Sequence, residues 1–347
     1  MRNTASVLSI VLTGCLGGSE PIEPGDPPID PPIDPPVELS PIERCLTSGG
    51  TLQELWATSN QHGPVTSIAV EGSTVVLGSA DGSVKQWSVD GSEPSYGRPF
   101  QDDVGVVATA VAFTGDGSLV AGDASGKVTA WDLGGVSPVL AMGVGDRSLV
   151  SVAGNASHFA VARGETSFEL TLIDRMTGAA SAPLRTLLWG STVVAFAPGG
   201  LLYTAGHNYG VPSIERRELT APDDVVSEWF DPHLPIGGNV LALAVDRAVT
   251  TLVAGGSGWV AEFDPRVLTE PRHFVATADH VAVGTVLLGR DLFATAGQEG
   301  TLRIWSNTAE PLAMIEVPEP VGVGIDGAGT TLFTSGPDGE LHAFGCR

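Results

Sequence analysis

The stretch SADGSVKQWSV, residues 79–89, decides the fold. A strand ending in small residues meets the turn pair Asp81 and Gly82, and a short alternating strand then carries Trp87, which is the pattern of a β-hairpin. Comparable hairpins recur along the chain at a mean spacing of (344 − 87)/6, about 43 residues, which predicts seven repeated units. The position of Trp87 is taken in turn by Trp131, Ile173, Arg217, Phe263, Trp305 and Phe344.

The composition favours a fold built almost entirely of β-strands. Of the 347 residues, 42% are hydrophobic and 45 are glycines, which suits many short buried strands joined by tight turns. The formal net charge of −23 repels nucleic acid phosphates, so we expect no nucleic acid partner.

From about Cys45 to Arg347 the chain resembles a seven-bladed WD-repeat β-propeller. The resemblance implies four-stranded antiparallel blades. In blade one it also implies a hydrogen-bonded structural tetrad of His62, Ser79, Asp81 and Trp87. Blades six and seven match in part, because Glu299 and Asp338 lie six residues before Trp305 and Phe344. Blades three to five lack both the Trp and the Asp, so six or eight blades are also compatible with the sequence.

The last unit ends with its third strand at Arg347, and residues 51–57, TLQELWA, precede the first complete unit. In closed propellers a terminal strand commonly completes the final blade. That arrangement would bring Cys45 near Cys346, and we therefore expect a disulfide between them, as is usual in oxidising compartments. The alternative is two free buried thiols.

The N-terminal sequence predicts a location in the cell envelope and a linker between a lipid anchor and the propeller. Residues 12–15, Leu-Thr-Gly-Cys, resemble the lipobox of bacterial lipoproteins, which implies a signal peptide over 1–14 and lipidation of Cys15. Residues 15–44 should be a disordered linker, since nine prolines and seven acidic residues occur between Glu20 and Glu43. No Asp follows Cys15, so we expect a lipid anchor in the outer membrane of a bacterial envelope. The alternative is a chance apolar N-terminus with a free thiol.

The chain shows no catalytic motif. Its seven histidines have no ligand spacing, and the GxGxxG spelling at 322–327 opens no helix, so we expect no metal, cofactor or enzymatic activity. The alternative is an envelope hydrolase or lyase with a metal or clustered carboxylates in the channel.

A binding function is the stronger hypothesis, because propeller loops gather at each end of the ring. The hairpin GHNYGVP, residues 206–212, should present His207 and Tyr209, while Trp189 and Trp259 could lie near the same rim. Alternatively, Trp189 and Trp259 pack between blades. We expect a monomeric, non-enzymatic scaffold that binds a protein or peptide partner at one propeller face, and the sequence leaves open which face.

Overall fold

The computed structural model describes residues 39–59, 63–89, 99–101, 106–135, 137–164, 169–186, 188, 190–231, 239–246, 248–289, 292–306 and 310–347. The chain from Leu39 to Arg347 forms one compact unit. That unit begins earlier than the predicted boundary at Cys45.

The unit opens with a short helix, α1 (Pro41–Thr47), where the sequence predicts disordered linker. The side chain of Ser40 accepts a hydrogen bond from the backbone N–H of Glu43, and the Glu43 carboxylate accepts one from the backbone of Ser40. This capping box, with Pro41 in the first turn, starts the helix despite the proline-rich surroundings. Ile42 is buried against the last two blades, so the prediction of linker as far as residue 44 is wrong. Within the described residues, no helix is long and apolar enough to cross a membrane.

The strands follow in chain order, with β1 (Leu52–Ser59) preceding the first complete blade. Each of the first four blades is a separate sheet of four consecutive strands. Blade one holds β2 (Val65–Glu71), β3 (Thr74–Ser79), β4 (Val84–Ser88) and β5 (Pro99–Gln101); blade two holds β6 (Ala108–Phe113), β7 (Ser118–Asp123), β8 (Lys127–Asp132) and β9 (Leu140–Gly143); blade three holds β10 (Leu149–Gly154), β11 (His158–Arg163), β12 (Glu169–Asp174) and β13 (Leu184–Arg185); blade four holds β14 (Gly190–Ala197), β15 (Leu201–Asn208), β16 (Val211–Glu218) and β17 (Ala221–Phe230).

Blades five and six share one sheet of six strands because two of its strands are long. In β19, residues 252–256 pair with β18 and residues 259–264 pair with the start of β20, while residues 282–287 of β20 pair with β21. Each long strand therefore serves as two blade strands, which makes two four-stranded blades. The strands are β18 (Val240–Val245), β19 (Leu252–Asp264), β20 (Val267–Leu287), β21 (Phe293–Gly297), β22 (Thr301–Trp305) and β23 (Ala313–Glu316).

Blade seven is completed by the N-terminal strand, as the sequence predicts. Its own strands are β24 (Gly322–Ile325), β25 (Thr331–Ser335) and β26 (Glu340–Cys346). The sheet order is β1-β26-β25-β24, with β1 antiparallel to β26. The predicted disulfide is also present: Cys45 is bonded to Cys346, with 6.0 Å between their Cα atoms.

The innermost strands close a ring. In order, β2, β6, β10, β14, β18, β20 and β24 each contact the next, and β24 contacts β2. They enclose a channel of about 300 Å³. Five four-stranded sheets and one sheet that holds two blades make seven, so the predicted all-β, seven-bladed architecture is confirmed.

The core lies between neighbouring blades. Most of the side chains at the repeat position of Trp87 are fully buried there, and Trp87 itself is nearly so. Six of the seven innermost strands also carry a β-bulge at equivalent positions, which the sequence did not reveal. In at least five of them the bulged residue lines the channel: Thr66, Thr109, Val150, Leu241 and Val283.

Candidate binding face

The two ends of the ring carry different turns. Turns between first and second strands share one end, as the hydrogen bond from Gly327 N to Gly72 O shows for blades seven and one. Antiparallel strands place the hairpins between second and third strands at the other end, which we call the hairpin face. Its described residues between these strands are 80–83, 124–126, 164, 209–210, 257–258, 298–300 and 336–339.

Among the described residues, Tyr209 is the most exposed aromatic residue of this face. It begins the two-residue turn between β15 and β16, and 72% of it is exposed. Its φ of 51° lies in the left-handed region, as does the φ of 81° at Gly210. Two positive φ angles match the twist of a tight hairpin, but a side chain at the first of them is strained.

His207 supports the turn from below. Its Nδ1 accepts a hydrogen bond from the backbone N–H of Gly210 at 3.1 Å, and the residue is half-buried. The predicted pair His207 and Tyr209 therefore lies together at the hairpin face, with His207 holding the turn and Tyr209 pointing outward.

Trp259 is not part of this surface. Only 1% of it is exposed, and it packs 5.5 Å from Trp229 and 6.1 Å from Phe274 between ring centroids. The prediction of a rim position is wrong for this residue, and the alternative of packing in the core is correct. Gly258, at a φ of 86°, makes the preceding turn so tight that the next side chain already points into the sheet.

Three further predicted residues lie outside the described part of the chain. They are the lipidation residue Cys15, the tetrad residue His62 and the rim residue Trp189.

A structural tetrad is present in blade six. The indole Nε1 of Trp305 donates to Thr295 Oγ1 at 2.7 Å, and that hydroxyl lies 2.7 Å from Nε2 of His280. The other ring nitrogen of His280 bonds to the Glu299 carboxylate. Glu299 thus takes the place of the aspartate expected in the turn.

Burial decides the charge of His280. Removal from water lowers the pKa of this imidazole, and the hydrogen bond and charge of Glu299 only partly oppose that effect. The neutral ring donates from Nδ1 to Glu299 and accepts at Nε2 from Thr295, so the chain of donors from Trp305 is complete. This network ties the second and third strands of blade six to the start of its first strand.

Sequence reasoning missed His280 and Thr295. His280 lies 25 residues before Trp305, the same offset that separates His62 from Trp87, so the spacing could have identified it. In blade one, Ser79 and Trp87 are buried, and Asp81 accepts a hydrogen bond from Ser83 N at 2.9 Å.

The hydroxyl position differs between the two blades. Thr295 pairs across the sheet with Arg303, two residues before Trp305, and the residue in that place in blade one is Leu77, which pairs with Lys85. Ser79 lies two residues further on, so it does not occupy the position of Thr295. Because His62 is outside the described residues, the blade-one tetrad stays a prediction.

In blade four an ion pair occupies the place that Trp87 takes in blade one. Arg217 is fully buried, with a guanidinium nitrogen 2.8 Å from the carboxylate of Glu215, which is also fully buried. Another nitrogen of the guanidinium donates to the backbone oxygen of Pro222 at 2.8 Å. Nearby Glu228 has its pKa raised by burial and by the charge of Glu215, although a hydrogen bond from Ser213 opposes the rise.

Blade seven carries a third polar group, centred on His342. Its Nδ1 lies 2.9 Å from the Glu54 carboxylate and its Nε2 lies 2.9 Å from that of Asp338. Burial lowers the pKa of His342, but the bonds to Glu54 and Asp338 together outweigh burial, so the net pKa is raised.

The channel has a different character from these groups. Its lining consists of aliphatic side chains together with Ser, Thr and Gly from the seven innermost strands. None of the described residues that line it carries a carboxylate, imidazole, amine or thiol.

Comparison with known proteins agrees with the architecture. Residues 53–88 match the family model described as WD domain, G-beta repeat. The sequence matches no curated protein. Among solved structures, the WD40 β-propeller domain of Doa1 aligns with a TM-score of 0.70 at 16% identity, over 85% of this chain and 97% of that chain. The chain therefore has the fold of a WD40 β-propeller, and blade one with the strand before it contains a recognisable WD repeat.

Proposed function

We propose that this protein is a non-enzymatic scaffold that binds a protein or peptide partner at the hairpin face. The WD40 propeller fold is typical of protein-interaction scaffolds. The single observation that carries the choice of face is Tyr209, a large aromatic residue that is exposed while held in a strained backbone conformation.

Two physical arguments support this choice. Tyrosine is enriched at interface hot spots because it buries a large apolar ring and keeps a hydroxyl for hydrogen bonding. A residue other than glycine at positive φ costs on the order of 1–2 kcal/mol, and such strain is typical of functional positions. Glycine would relieve the strain at this turn, and an exposed tyrosine in its place supports a binding role.

The alternative, a hydrolase or lyase with its site in the channel, has less support. It needs a metal or clustered carboxylates there, and the described channel lining supplies neither. The two described histidines with a shifted pKa, His280 and His342, lie within the blades, where their partners are other protein side chains.

The proposal includes a cellular location. We infer that Cys15 is lipidated and anchors a monomeric propeller to the outer membrane of a bacterial envelope, with residues 15–38 as an extended tether. The sequence Leu-Thr-Gly-Cys and the proline-rich composition support this proposal. The charge of −23 argues against nucleic acid as the partner.

Fractionation tests the cellular location. We expect the wild-type protein in the outer-membrane fraction and a Cys15→Ser variant in the soluble fraction, at equal expression. Membrane association that persists in Cys15→Ser, measured by immunoblot of washed membranes, would contradict lipid anchoring.

Chemical crosslinking in cells, followed by affinity purification and mass spectrometry, tests the binding face. Tyr209→Ala should lose a partner that the wild type captures, without a change of melting temperature, because alanine at this φ is as strained as tyrosine. The matched control is Met176→Ala. Met176 is 97% exposed and lies in the turn after β12, at the opposite end of the blades. Loss of the partner in both variants, or in neither, would contradict binding at the hairpin face.

A further inference from the structure

The repeats allow blades to be compared at one position, two residues before the buried residue of the third strand. Blade one has Lys85 there and blade six has Arg303. The guanidinium of Arg303 lies 3.1 Å from the Asp279 carboxylate and 3.5 Å from that of Glu299. In blade six, a permanent positive charge therefore balances the carboxylates of Asp279 and Glu299.

Blade seven has His342 at this position and three carboxylates around it. Nε2 lies 2.9 Å from Asp338 and 3.8 Å from Glu340, and Nδ1 lies 2.9 Å from Glu54. Within the described residues, no Lys or Arg forms an ion pair with any of the three. One imidazolium supplies at most one positive charge against three negative charges, so the group retains a charge deficit that a bound cation would balance.

The arrangement suits a metal ion. Glu340 and His342 alternate along β26 and so share one face of it, while Asp338 projects from the hairpin just before the strand. The ligand atoms of the three residues lie within 4.8 Å of one another. In a tetrahedral zinc site with metal–ligand bonds of about 2.0–2.1 Å, two ligand atoms are roughly 3.3 Å apart. This value lies between the distances from His342 Nε2 to Asp338, 2.9 Å, and to Glu340, 3.8 Å.

Both orienting bonds of such a site are already formed. The Asp338 Oδ1 accepts the backbone N–H of Glu340 at 3.0 Å, which leaves Oδ2 directed at His342. Glu54 on β1 accepts from Nδ1 of His342, so a metal ion that displaces the proton between Nε2 and Asp338 meets an Nε2 lone pair already directed at the site.

We propose that Asp338, Glu340 and His342 bind Zn²⁺, with Glu54 as the carboxylate that orients the histidine. An imidazole ligand favours zinc over calcium or magnesium, which prefer oxygen ligands alone. Three protein ligands leave a fourth position for water. The site lies on the outer strands of blade seven, where β1 joins β26, and it is separate from the channel. Zinc there fastens the closing strand of the ring.

Isothermal titration calorimetry tests the site, using full-length protein dialysed against EDTA and then titrated with ZnCl₂ at pH 7.5. Excess CaCl₂ in the buffer occupies unspecific carboxylate sites. We expect one zinc per chain for the wild type and no saturable binding for His342→Gln or Glu340→Gln. Glu54→Gln should bind about 10–100-fold more weakly, as expected for an orienting residue.

The control is His273→Gln, the same substitution at an exposed histidine of β20, which should bind zinc like the wild type. Zinc should also raise the melting temperature of the wild type and of His273→Gln only. Because Glu340 is half exposed, Glu340→Gln folds even if His342→Gln does not, and it then decides the question. Absence of saturable binding to the wild type, or equal binding by Glu340→Gln, would overturn the proposal.

Discussion

At the residue scale, the seven repeat positions show how different side chains solve the same packing problem. Most are apolar and fill the space between blades, but Arg217 fills it with a guanidinium held by Glu215. The sequence placed Arg217 at this position correctly, yet it gave no sign of the partner. Glu215 lies two residues earlier on the same face of β16. The spacing predicts that the two side chains are neighbours, but it does not show that both are buried.

We expect Arg217→Met to lower the free energy of unfolding by about 3–5 kcal/mol, because it removes the guanidinium that pairs with the buried Glu215 carboxylate. Adding Glu215→Leu should restore much of that loss. Urea denaturation of the single and double variants measures both effects. A double variant less stable than Arg217→Met would contradict this reading of the pair.

Tyr209 provides the second prediction at this scale. Tyr209→Gly relieves the strain of positive φ, which should raise the free energy of unfolding by about 1–2 kcal/mol. Glycine also has more conformational freedom in the unfolded chain, which lowers the free energy of unfolding by about 0.5–1 kcal/mol. The variant should therefore be more stable than the wild type by roughly 0.5–1 kcal/mol in denaturant unfolding, while it loses the partner. A less stable variant would show that the ring contributes to packing.

Trp259 marks the limit of residue-level prediction. Its place directly after a glycine-rich turn suggested the rim, but period-2 alternation along β19 decides which face each residue takes. If the turn is one residue longer or shorter, the side chains that faced the core face solvent instead, and the sequence does not reveal the length of the turn.

At the scale of elements, blade six shows how a hydrogen-bonded network holds one repeat together. Its four members come from the start of the first strand, the second strand, the hairpin and the third strand. The blade boundary was hidden within the 21 residues of β20, which runs from one blade into the next as one continuous strand. The sequence patterns of turns and strands therefore located blade six, but they did not identify His280 as part of its network.

The stability of this network should depend on pH. The folded pKa of His280 is lowered, so below about 6.5 the unfolded chain binds a proton that the folded chain does not, and the contribution of the network falls as pH falls. The difference in unfolding free energy between wild type and His280→Gln should shrink from pH 7.5 to pH 5.5. His273→Gln serves as the control. A difference that grows on acidification would indicate a charged His280 paired with Glu299.

At the scale of the whole molecule, the ring is closed by the N-terminal strand. This could be predicted because the last repeat lacked one strand and residues 51–57 lacked a blade. The helix before it was missed, since the composition of residues 20–43 concealed the short capping signal at Ser40 and Glu43. The channel lining also escaped prediction, because the bulges that build it leave no mark in the spacing of the repeats.

The disulfide between Cys45 and Cys346 should stabilise this closure. It spans 301 residues, for which loop entropy gives at most about 6 kcal/mol, and pairing of β1 with β26 already restrains the ends, so the measured effect should be smaller. The double variant Cys45→Ser, Cys346→Ser and the reduced wild type should unfold at the same, lower denaturant concentration. Unchanged unfolding after reduction would contradict a stabilising bond.

The central claim is that the hairpin face of the propeller binds a protein partner. The most direct measurement is photo-crosslinking in cells with a photoreactive amino acid placed at Tyr209 and, in a matched sample, at Met176. We predict a discrete crosslinked product of one partner protein from position 209 and none from position 176. Equal products from both positions, or none from position 209, would contradict the claim.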